Sequence, residues 1–214
     1  MWKWLGCLGV LVLVVLVLAV VGLGAYNTLV GLGQAVDAQW AQVENQYQRR
    51  ADLIPNLVNT VKGAANFERG TLEAVVRARA SVGSINPQNL PNDAAGMARF
   101  QQAQDSLSGA LSRLLVVVER YPELKANQNF RDLQVALEGT ENRVSVERTR
   151  YNERAQEYNT ARLRFPTVLF ANLMGMRDKA YFKAAAGAEQ APTVDFGNAP
   201  GTAPATPAPA EQPR

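Results

Sequence analysis

Two glutamates in the C-terminal half of the sequence have the spacing of an acid and base pair. Glu138 and Glu141 are three residues apart in a stretch that predicts a helix, and residues at this spacing share one helix face. A carboxyl pair of this kind is the minimum equipment for acid and base catalysis of hydrolysis. Because no nucleophile, metal-ligand set or phosphate-binding loop accompanies the pair, a carboxylate-dependent hydrolase is only a remote alternative. We assign no catalytic residue.

The composition excludes several kinds of chemistry. The chain has no His, and its one Cys, Cys7, lies in an apolar run. Thiol catalysis and Cys/His zinc sites are therefore excluded, and we predict neither a metal nor a cofactor. The net charge is +3, but the arginines alternate with glutamates instead of forming a basic run. This pattern is typical of solvated helices, so we expect no nucleic-acid partner.

Three polar strings interrupt the apolar pattern of the helices and form the candidate site. The first string surrounds Pro55, the second lies near Asn127 at the start of a predicted helix, and the third contains Gly139. In one hypothesis, paired charges form a polar layer that fixes helix register, since a mispaired buried charge is costly. In the other, the strings form a docking site for an extended segment of a partner, with asparagines donating hydrogen bonds. The candidate residues are Arg49, Arg50, Asp52, Asn56, Asn127, Asn129, Glu138, Glu141, Asn142 and Arg143.

Helices must position these strings. The apolar sequence at the start of the first helix predicts a membrane anchor. Residues 5–25 carry no charge, and fourteen of them are Leu or Val. A helix of this length spans about 31 Å, the thickness of a hydrocarbon core. The run is longer than the apolar part of a signal peptide and its best cleavage motif, Gly22-Leu23-Gly24, is mediocre, so we expect it to be retained. Lys3 before the run predicts a cytoplasmic N-terminus and a bundle outside the cytoplasm.

The remaining apolar residues recur at helical spacing. One stripe runs from Val36 to Ile54, and Pro55 predicts a kink or a restart into a second helix that fades near Val82. Residues 83–92 have loop composition. A third helix carries Leu107, Leu111 and Leu114 and stops at Pro122, and a fourth keeps a regular ladder from Phe130 to Phe165. A short apolar patch over 168–176 is expected to fold back on the bundle.

The predicted fold class is all-α, with a single N-terminal transmembrane helix followed by an elongated, mostly antiparallel bundle of about four long helices. We divide the chain into a short flank (1–4), a transmembrane anchor (5–25), a helical bundle domain (26–183) and an Ala/Pro-rich tail predicted to be disordered (184–214).

Several motifs resemble the LemA family of bacterial membrane proteins. They cover most of residues 26–183, although Phe67-Glu68 stands where the family has a His-Glu pair. The resemblance implies a short N-terminal anchor, a long helical bundle and no settled biochemical activity; members look like scaffolds or accessory proteins of the envelope, some linked to membrane proteases or to the organisation of internal membranes. The motifs include Arg49-Arg50-Ala51-Asp52-Leu53-Ile54-Pro55-Asn56-Leu57-Val58, Lys125-Ala126-Asn127-Gln128-Asn129-Phe130, Leu137-Glu138-Gly139-Thr140-Glu141-Asn142-Arg143, Tyr151-Asn152, Tyr158-Asn159 and Tyr181-Phe182.

The sequence therefore predicts a membrane-tethered scaffold or adaptor of the bacterial cell envelope that acts through protein-protein contacts and is not an enzyme. The near alternative is a regulatory accessory subunit of a membrane protease or transporter. We expect the protein in the inner (plasma) membrane as a single-pass protein, in contact with the lipid bilayer through residues 5–25. The sequence does not identify the protein partner, and self-association into a homo-oligomer is one alternative.

Overall fold

The computed structural model describes residues 2–64, 67–88 and 90–183, with side chains from residue 8 onward. Within these ranges the chain forms six α-helices and a short 3₁₀ turn, with no strand. The predicted all-α helical bundle is confirmed. The helices are α1 (Trp2–Lys62), α2 (Arg69–Gly83), α3 (Ala94–Val118), α4 (Pro122–Ala126), α5 (Gln128–Leu163) and α6 (Thr167–Leu173), and the 3₁₀ turn is Leu90–Asn92.

The central pair of the bundle is α1 and α5, which run antiparallel. The start of α5 lies beside the end of α1, where Asn129 and Asn56 line one surface cleft. Further along, a Cβ added at Gly33 of α1 would lie 3.6 Å from the Tyr158 ring near the end of α5. Helices α2 and α3 pack on each other beside this pair. The polar strings on α1 and α5 are thereby brought to similar levels of the bundle.

The predicted restart of a new helix at Pro55 is wrong, because α1 continues through Pro55 to Lys62. A proline inside a helix removes one N–H donor and leaves the carbonyl four residues earlier without its usual partner. Here that carbonyl belongs to Ala51, and it accepts a hydrogen bond of 3.2 Å from Nε of Arg79 on α2. The predicted second helix from Pro55 to Val82 is instead the end of α1, a connection and the separate helix α2.

Two apolar clusters make up the core, one behind the other along the bundle axis. The proximal cluster, nearer the N-terminal end of α1, contains Trp40, Tyr151 and Phe182. Trp40 stacks on Phe182 at 5.8 Å and meets Tyr151 edge to face at 5.6 Å between ring centroids. The distal cluster contains Leu57, Val61, Leu114 and Phe130, among others. On α1 the clusters are separated by the turn that carries Arg50.

The ends of two other helices also differ from the predictions. Helix α3 ends at Val118, and Pro122 occupies the first turn of α4, where a missing N–H costs nothing. Phe165, predicted to end the buried ladder of α5, lies beyond the helix and is 81% exposed. The predicted tail over 184–214 lies outside the described residues.

Candidate functional site

Arg50 lies in the middle of the bundle with only 2% of its side chain exposed. Helix α1 places it one turn after Tyr47 and one turn before Ile54, between the two apolar clusters. Its guanidinium lies over the Tyr47 ring, 5.3 Å from the ring centroid. A buried charge is tolerated only where other polar groups satisfy it, so the neighbours of Arg50 decide what this layer does.

Three side chains on two other helices accept hydrogen bonds from Arg50. Nη1 donates to Glu141 Oε2 on α5 at 2.6 Å and to Ser108 Oγ on α3 at 3.1 Å. Nη2 donates to Gln104 Oε1, also on α3. Ser108 Oγ in turn donates to the second Glu141 oxygen at 3.2 Å. One arginine thereby joins α1, α3 and α5 in a single network, which we call the Arg50 layer.

The Arg50 layer opens to solvent on one side. Glu141 is 51% exposed, and together with Glu138, Ser108 and Ser112 it borders a cleft of about 210 Å³ between α3 and α5. Both carboxylates of the predicted acid and base pair thus border one cleft, but each already accepts a hydrogen bond, Glu141 from Arg50 and Glu138 from Gln134 at 3.0 Å. We call this space the α3–α5 cleft.

The structure does not bring the other predicted site residues into this layer. Arg49, Asp52, Asn142 and Arg143 are exposed, and Gln48 donates to Asp52 on the same helix at 2.8 Å. Arg143 donates to the carbonyl of Gly139, and a Cβ at Gly139 would meet this side chain rather than the backbone of another element. Among the described residues, Gly139 is therefore not a point of close approach to another element.

The asparagines of the predicted docking site lie at the distal end of the bundle. Asn127 caps α5, accepting a hydrogen bond from the Phe130 N–H at 3.3 Å. Asn56 and Asn129 are exposed and line a shallow cleft with Asp132. Asn127 is thus a capping residue, and Asn56 lies apart from the Arg50 layer.

Recognition of an extended segment does occur in the bundle, but at another place. Residues 176–183, which we call the strap, have no regular secondary structure and run along α5. Asn159 donates to the Lys179 carbonyl and accepts from the Lys179 N–H, at 2.9 and 2.8 Å. Asn152 makes the same pair of bonds with Phe182, at 3.0 and 2.9 Å. Gln101 of α3 does so with Lys183, at 2.6 and 3.1 Å. Each side-chain amide thus satisfies the N–H and C=O groups of one strap residue, as the backbone of a neighbouring β-strand would do.

Side chains of the strap are also held in the bundle. Phe182 enters the proximal cluster, and the Lys179 side chain, 7% exposed, reaches Asp37 of α1 at 2.9 Å. The Tyr151 hydroxyl donates to the Ala180 carbonyl at 2.9 Å. Burial raises the pKa of Tyr151 well above its usual value, and Asp37 acts in the same direction.

Sequence reasoning missed these strap contacts and the acceptors Gln104 and Ser108. One signal was available, because Tyr151-Asn152 and Tyr158-Asn159 repeat a dipeptide seven residues apart on α5. Residues at that spacing lie on one helix face, so two asparagines were predictable as a pair. Nothing local distinguishes Gln104 or Ser108 from the other polar residues of α3.

The described residues contain no group of three or more acidic or Cys side chains positioned to hold a metal ion. Two buried polar atoms near the Arg50 layer, Tyr47 Oη and Arg50 Nε, have no hydrogen-bond partner within the described part of the chain. The arrangement is suited to joining helices and to holding an extended backbone through amide pairs.

Comparison with known proteins identifies a family and several relatives. The model of the LemA family matches residues 39–196. The chain is 27% identical over 175 residues to magnetosome protein MamQ 2 of Paramagnetospirillum magneticum, covering 74% of this chain and 64% of that protein. It is 26% identical over 174 residues to magnetosome protein MamQ of Magnetospirillum gryphiswaldense, covering 73% and 64%. It is 26% identical over 137 residues to protein LemA of Metamycoplasma hominis, covering 64% and 58%.

The chain thus spans less than two thirds of the length of these curated relatives. The family match itself extends from Gln39 in α1 through the Arg50 layer and the strap. Because it covers well over half of the sequence, the chain belongs to the LemA family.

Proposed function

We propose that this protein is a membrane-tethered scaffold or adaptor of the bacterial cell envelope, acting through protein-protein contacts. The observation that carries the proposal is the continuity of α1, a helix of 61 residues. Its first third is apolar and its remainder is the central helix of the bundle. A bundle joined to its anchor without a hinge keeps a fixed distance and direction from the bilayer, as a scaffold requires.

Exposure supports a membrane as the environment of the first third. Every residue from Leu8 to Val21 is exposed, and α1 is long and apolar enough to cross a membrane. The core helix of a water-soluble protein would bury such a surface, because apolar patches of this size are rarely left in water. Fourteen Leu and Val residues favour insertion by about 4–8 kcal/mol.

Packing at the end of the apolar run supports retention of the anchor. Gly22, Ala25 and Leu29 are buried on one face of α1. Cleavage at the Gly22-Leu23-Gly24 motif would remove the first of these contacts and cut a helix that continues into the core. A retained helix accounts for both facts.

The α3–α5 cleft is the surface that we propose for partner contact. It combines the exposed carboxylates Glu138 and Glu141 with the apolar Leu111 and Leu115, and interfaces commonly join an apolar centre to a polar rim. The Arg50 layer behind it holds three helices together, so the cleft has a fixed shape. A short partner segment with a basic and an apolar side chain would complement it.

A topology experiment tests the tether. The full chain is fused at its C-terminus to a reporter active only outside the cytoplasm and, separately, to one that fluoresces only inside. We expect activity outside, from Lys3 and the positive-inside rule. Fluorescence inside would reverse the orientation, and a reporter that is released from membranes by alkaline washing would contradict the tether itself.

Photo-crosslinking in intact cells tests the cleft. A photoreactive residue at Glu138 is expected to give a discrete adduct with another protein, whereas one at Arg99, 75% exposed and outside the cleft, is expected to give none. Adducts at both positions, or at neither, would contradict a partner site in the cleft. Purification at a fixed ratio with one integral membrane protein would favour the accessory-subunit function over a general scaffold.

A further inference from the structure

Helix α6 and its flanking residues expose an unusual amount of apolar side chain. Phe165 is 81% exposed, Leu169 60%, Leu173 83% and Met174 48%. Leu169 and Leu173 are four residues apart on α6, so they lie on one face of that helix, and Phe165 lies in the turn just before it; we call these three residues the stripe. Two arginines, Arg164 and Arg177, flank the stripe and are also exposed.

The opposite face of α6 packs on α1 at the end of the predicted anchor. Ala171 is completely buried and belongs to the same apolar cluster as Leu29. The Phe170 ring lies over Gly22, where an added Cβ would be 2.7 Å from the ring carbon Cε1. Gly22 is the first buried residue of α1 after the exposed run from Leu8 to Val21. Helix α6 therefore begins to cover α1 where the exposed run ends.

These contacts set the depth of α6 relative to the bilayer. The apolar run ends at Ala25, three residues after Gly22, so the contact with Phe170 lies about 4.5 Å inside that end along the helix axis. Interfacial apolar side chains lie about 5–10 Å into the boundary between headgroups and acyl chains. If the anchor spans the membrane as predicted, its contact with Phe170 therefore brings α6 to the interfacial region of the bilayer.

We propose that the stripe Phe165, Leu169 and Leu173 inserts into the bilayer interface on the side of the membrane that holds the bundle. This inference rests on the proposed membrane tether. The lipid-facing surface of α1 and the stripe are neighbours, which makes the bilayer the occupant that the geometry favours. Arg164 and Arg177 face the headgroup region, where guanidinium groups bind lipid phosphates. Tyr26, 41% exposed just after the apolar run, is a further interfacial side chain.

A consequence of this arrangement is a second attachment point for the bundle. The anchor alone would allow the bundle to tilt about the point where α1 leaves the membrane. Insertion of α6 beside α1 adds a contact off the helix axis and resists that tilt. The strap begins two residues beyond the end of α6, after Met174 and Gly175, and returns the chain to the proximal cluster.

Depth-dependent fluorescence quenching tests the proposal on the full chain in phospholipid vesicles. Cys7 is replaced by Ala, and single cysteines are introduced as Leu169→Cys, Leu173→Cys, Leu16→Cys and Val116→Cys, each labelled with an environment-sensitive dye. Leu16, 60% exposed in the anchor, reports on the tether, and Val116, 70% exposed in the turn of α3 beside the distal-cluster residue Val118, is the matched exposed control. The vesicles contain lipids brominated either near the headgroup or near the chain ends. Circular dichroism verifies that each variant keeps its helix content.

Labels at Leu169 and Leu173 are expected to be quenched more strongly by bromine near the headgroup than near the chain ends. The label at Leu16 should be quenched most by the deep bromine, and the label at Val116 by neither. Quenching at Leu16 but not at Leu169 or Leu173 would overturn the α6 proposal and leave the tether standing. Absence of quenching at Leu16 would overturn the tether and the α6 proposal with it.

Discussion

The Arg50 guanidinium on α1 and the Glu141 carboxylate on α5 are joined at 2.6 Å, although the two residues are 91 positions apart in the sequence. Arg50 is almost fully buried and Glu141 is half exposed. The pair lies between the proximal and distal clusters, so it is a polar seam across an otherwise apolar core. The unequal burial of its members leads to an asymmetric prediction.

Removal of Glu141 is expected to destabilise the bundle more than removal of Arg50, although Glu141 is the more exposed residue. Glu141→Ala leaves a buried guanidinium without its charged partner and should cost about 2–3 kcal/mol. Arg50→Met fills most of the same space and leaves a carboxylate that water can solvate, so about 1–2 kcal/mol is expected. Denaturant unfolding followed by circular dichroism, on the full chain in detergent micelles, measures both.

Asp52→Asn is the matched control for these variants, since Asp52 is exposed two residues after Arg50, on the other side of α1. Its effect should stay within about 0.5 kcal/mol. If Arg50→Met proved the more costly change, packing of the side chain and not its charge would be the main contribution of Arg50.

Asn159→Ala is expected to loosen the strap without unfolding the bundle. The variant loses both hydrogen bonds to the backbone of Lys179, worth about 1–2 kcal/mol together. The population of the open strap, and with it the rate of tryptic cleavage after Lys179, should rise about 5–30-fold. Mass spectrometry of the fragments during limited digestion measures the rate.

Asn56→Ala makes the same chemical change at an exposed residue away from the strap, so its cleavage rate should equal that of the unmodified chain. Equal rates for Asn159→Ala and Asn56→Ala would mean that apolar packing of Phe182, and not the amide pairs, holds the strap in place.

Gly22→Val is expected to displace α6, because a Cβ at Gly22 would lie 2.7 Å from the Phe170 ring. Overpacking of this kind costs about 1–3 kcal/mol. Hydrogen exchange should become faster at Met174 and Met176, whose N–H groups donate to the carbonyls of Phe170 and Ala171. Gly24→Val adds the same atoms where nothing lies within 4 Å, so hydrogen exchange at Met174 and Met176 should be unchanged in that variant. Faster exchange in both variants would point to a general disturbance of α1.

Alkaline pH is expected to destabilise the bundle through its buried tyrosines. Burial raises the pKa of Tyr47 above its ordinary value of 10.0, while Arg148 and Arg50 act against the shift. Below about pH 10 the Tyr47 hydroxyl is protonated in both the folded and the unfolded chain, so its contribution to the free energy of unfolding is fully present. Above that pH the unfolded chain releases the phenol proton first, so stability falls by about 1.4 kcal/mol per pH unit until the folded pKa is reached.

Tyr47→Phe tests this assignment, because the Tyr47 hydroxyl is buried without a hydrogen-bond partner in the described part of the chain. The variant should be as stable as the unmodified chain at neutral pH, or more stable, and should lose less stability between pH 10 and the folded pKa. Free energies of unfolding measured across this pH range decide it. An unchanged alkaline decline would assign the effect to other groups, with Tyr151 the first to examine.

Features that depend on neighbours along the chain were determined by the sequence alone. The uncharged run over 5–25, the helical stripes and the Asn127 cap on α5 all follow from local spacing and hydrogen bonding. These sufficed for the all-α bundle, and the sequence motifs sufficed for the resemblance to the LemA family. Local rules also predicted a kink or a restart at Pro55, and the restart does not occur because α1 continues to Lys62.

Only the tertiary structure decided which polar residues are buried and what satisfies them. Arg49 and Arg50 are identical side chains on successive positions, about 100° apart around the helix, yet one is exposed and the other lies in the core. The partners of Arg50 are on α3 and α5, and the Ala51 carbonyl freed by Pro55 is satisfied by Arg79 of α2. Each of these contacts joins residues that are distant in sequence, so local spacing carries no record of them. They exist because helix packing brings those side chains together where water is excluded and a polar group must find a partner.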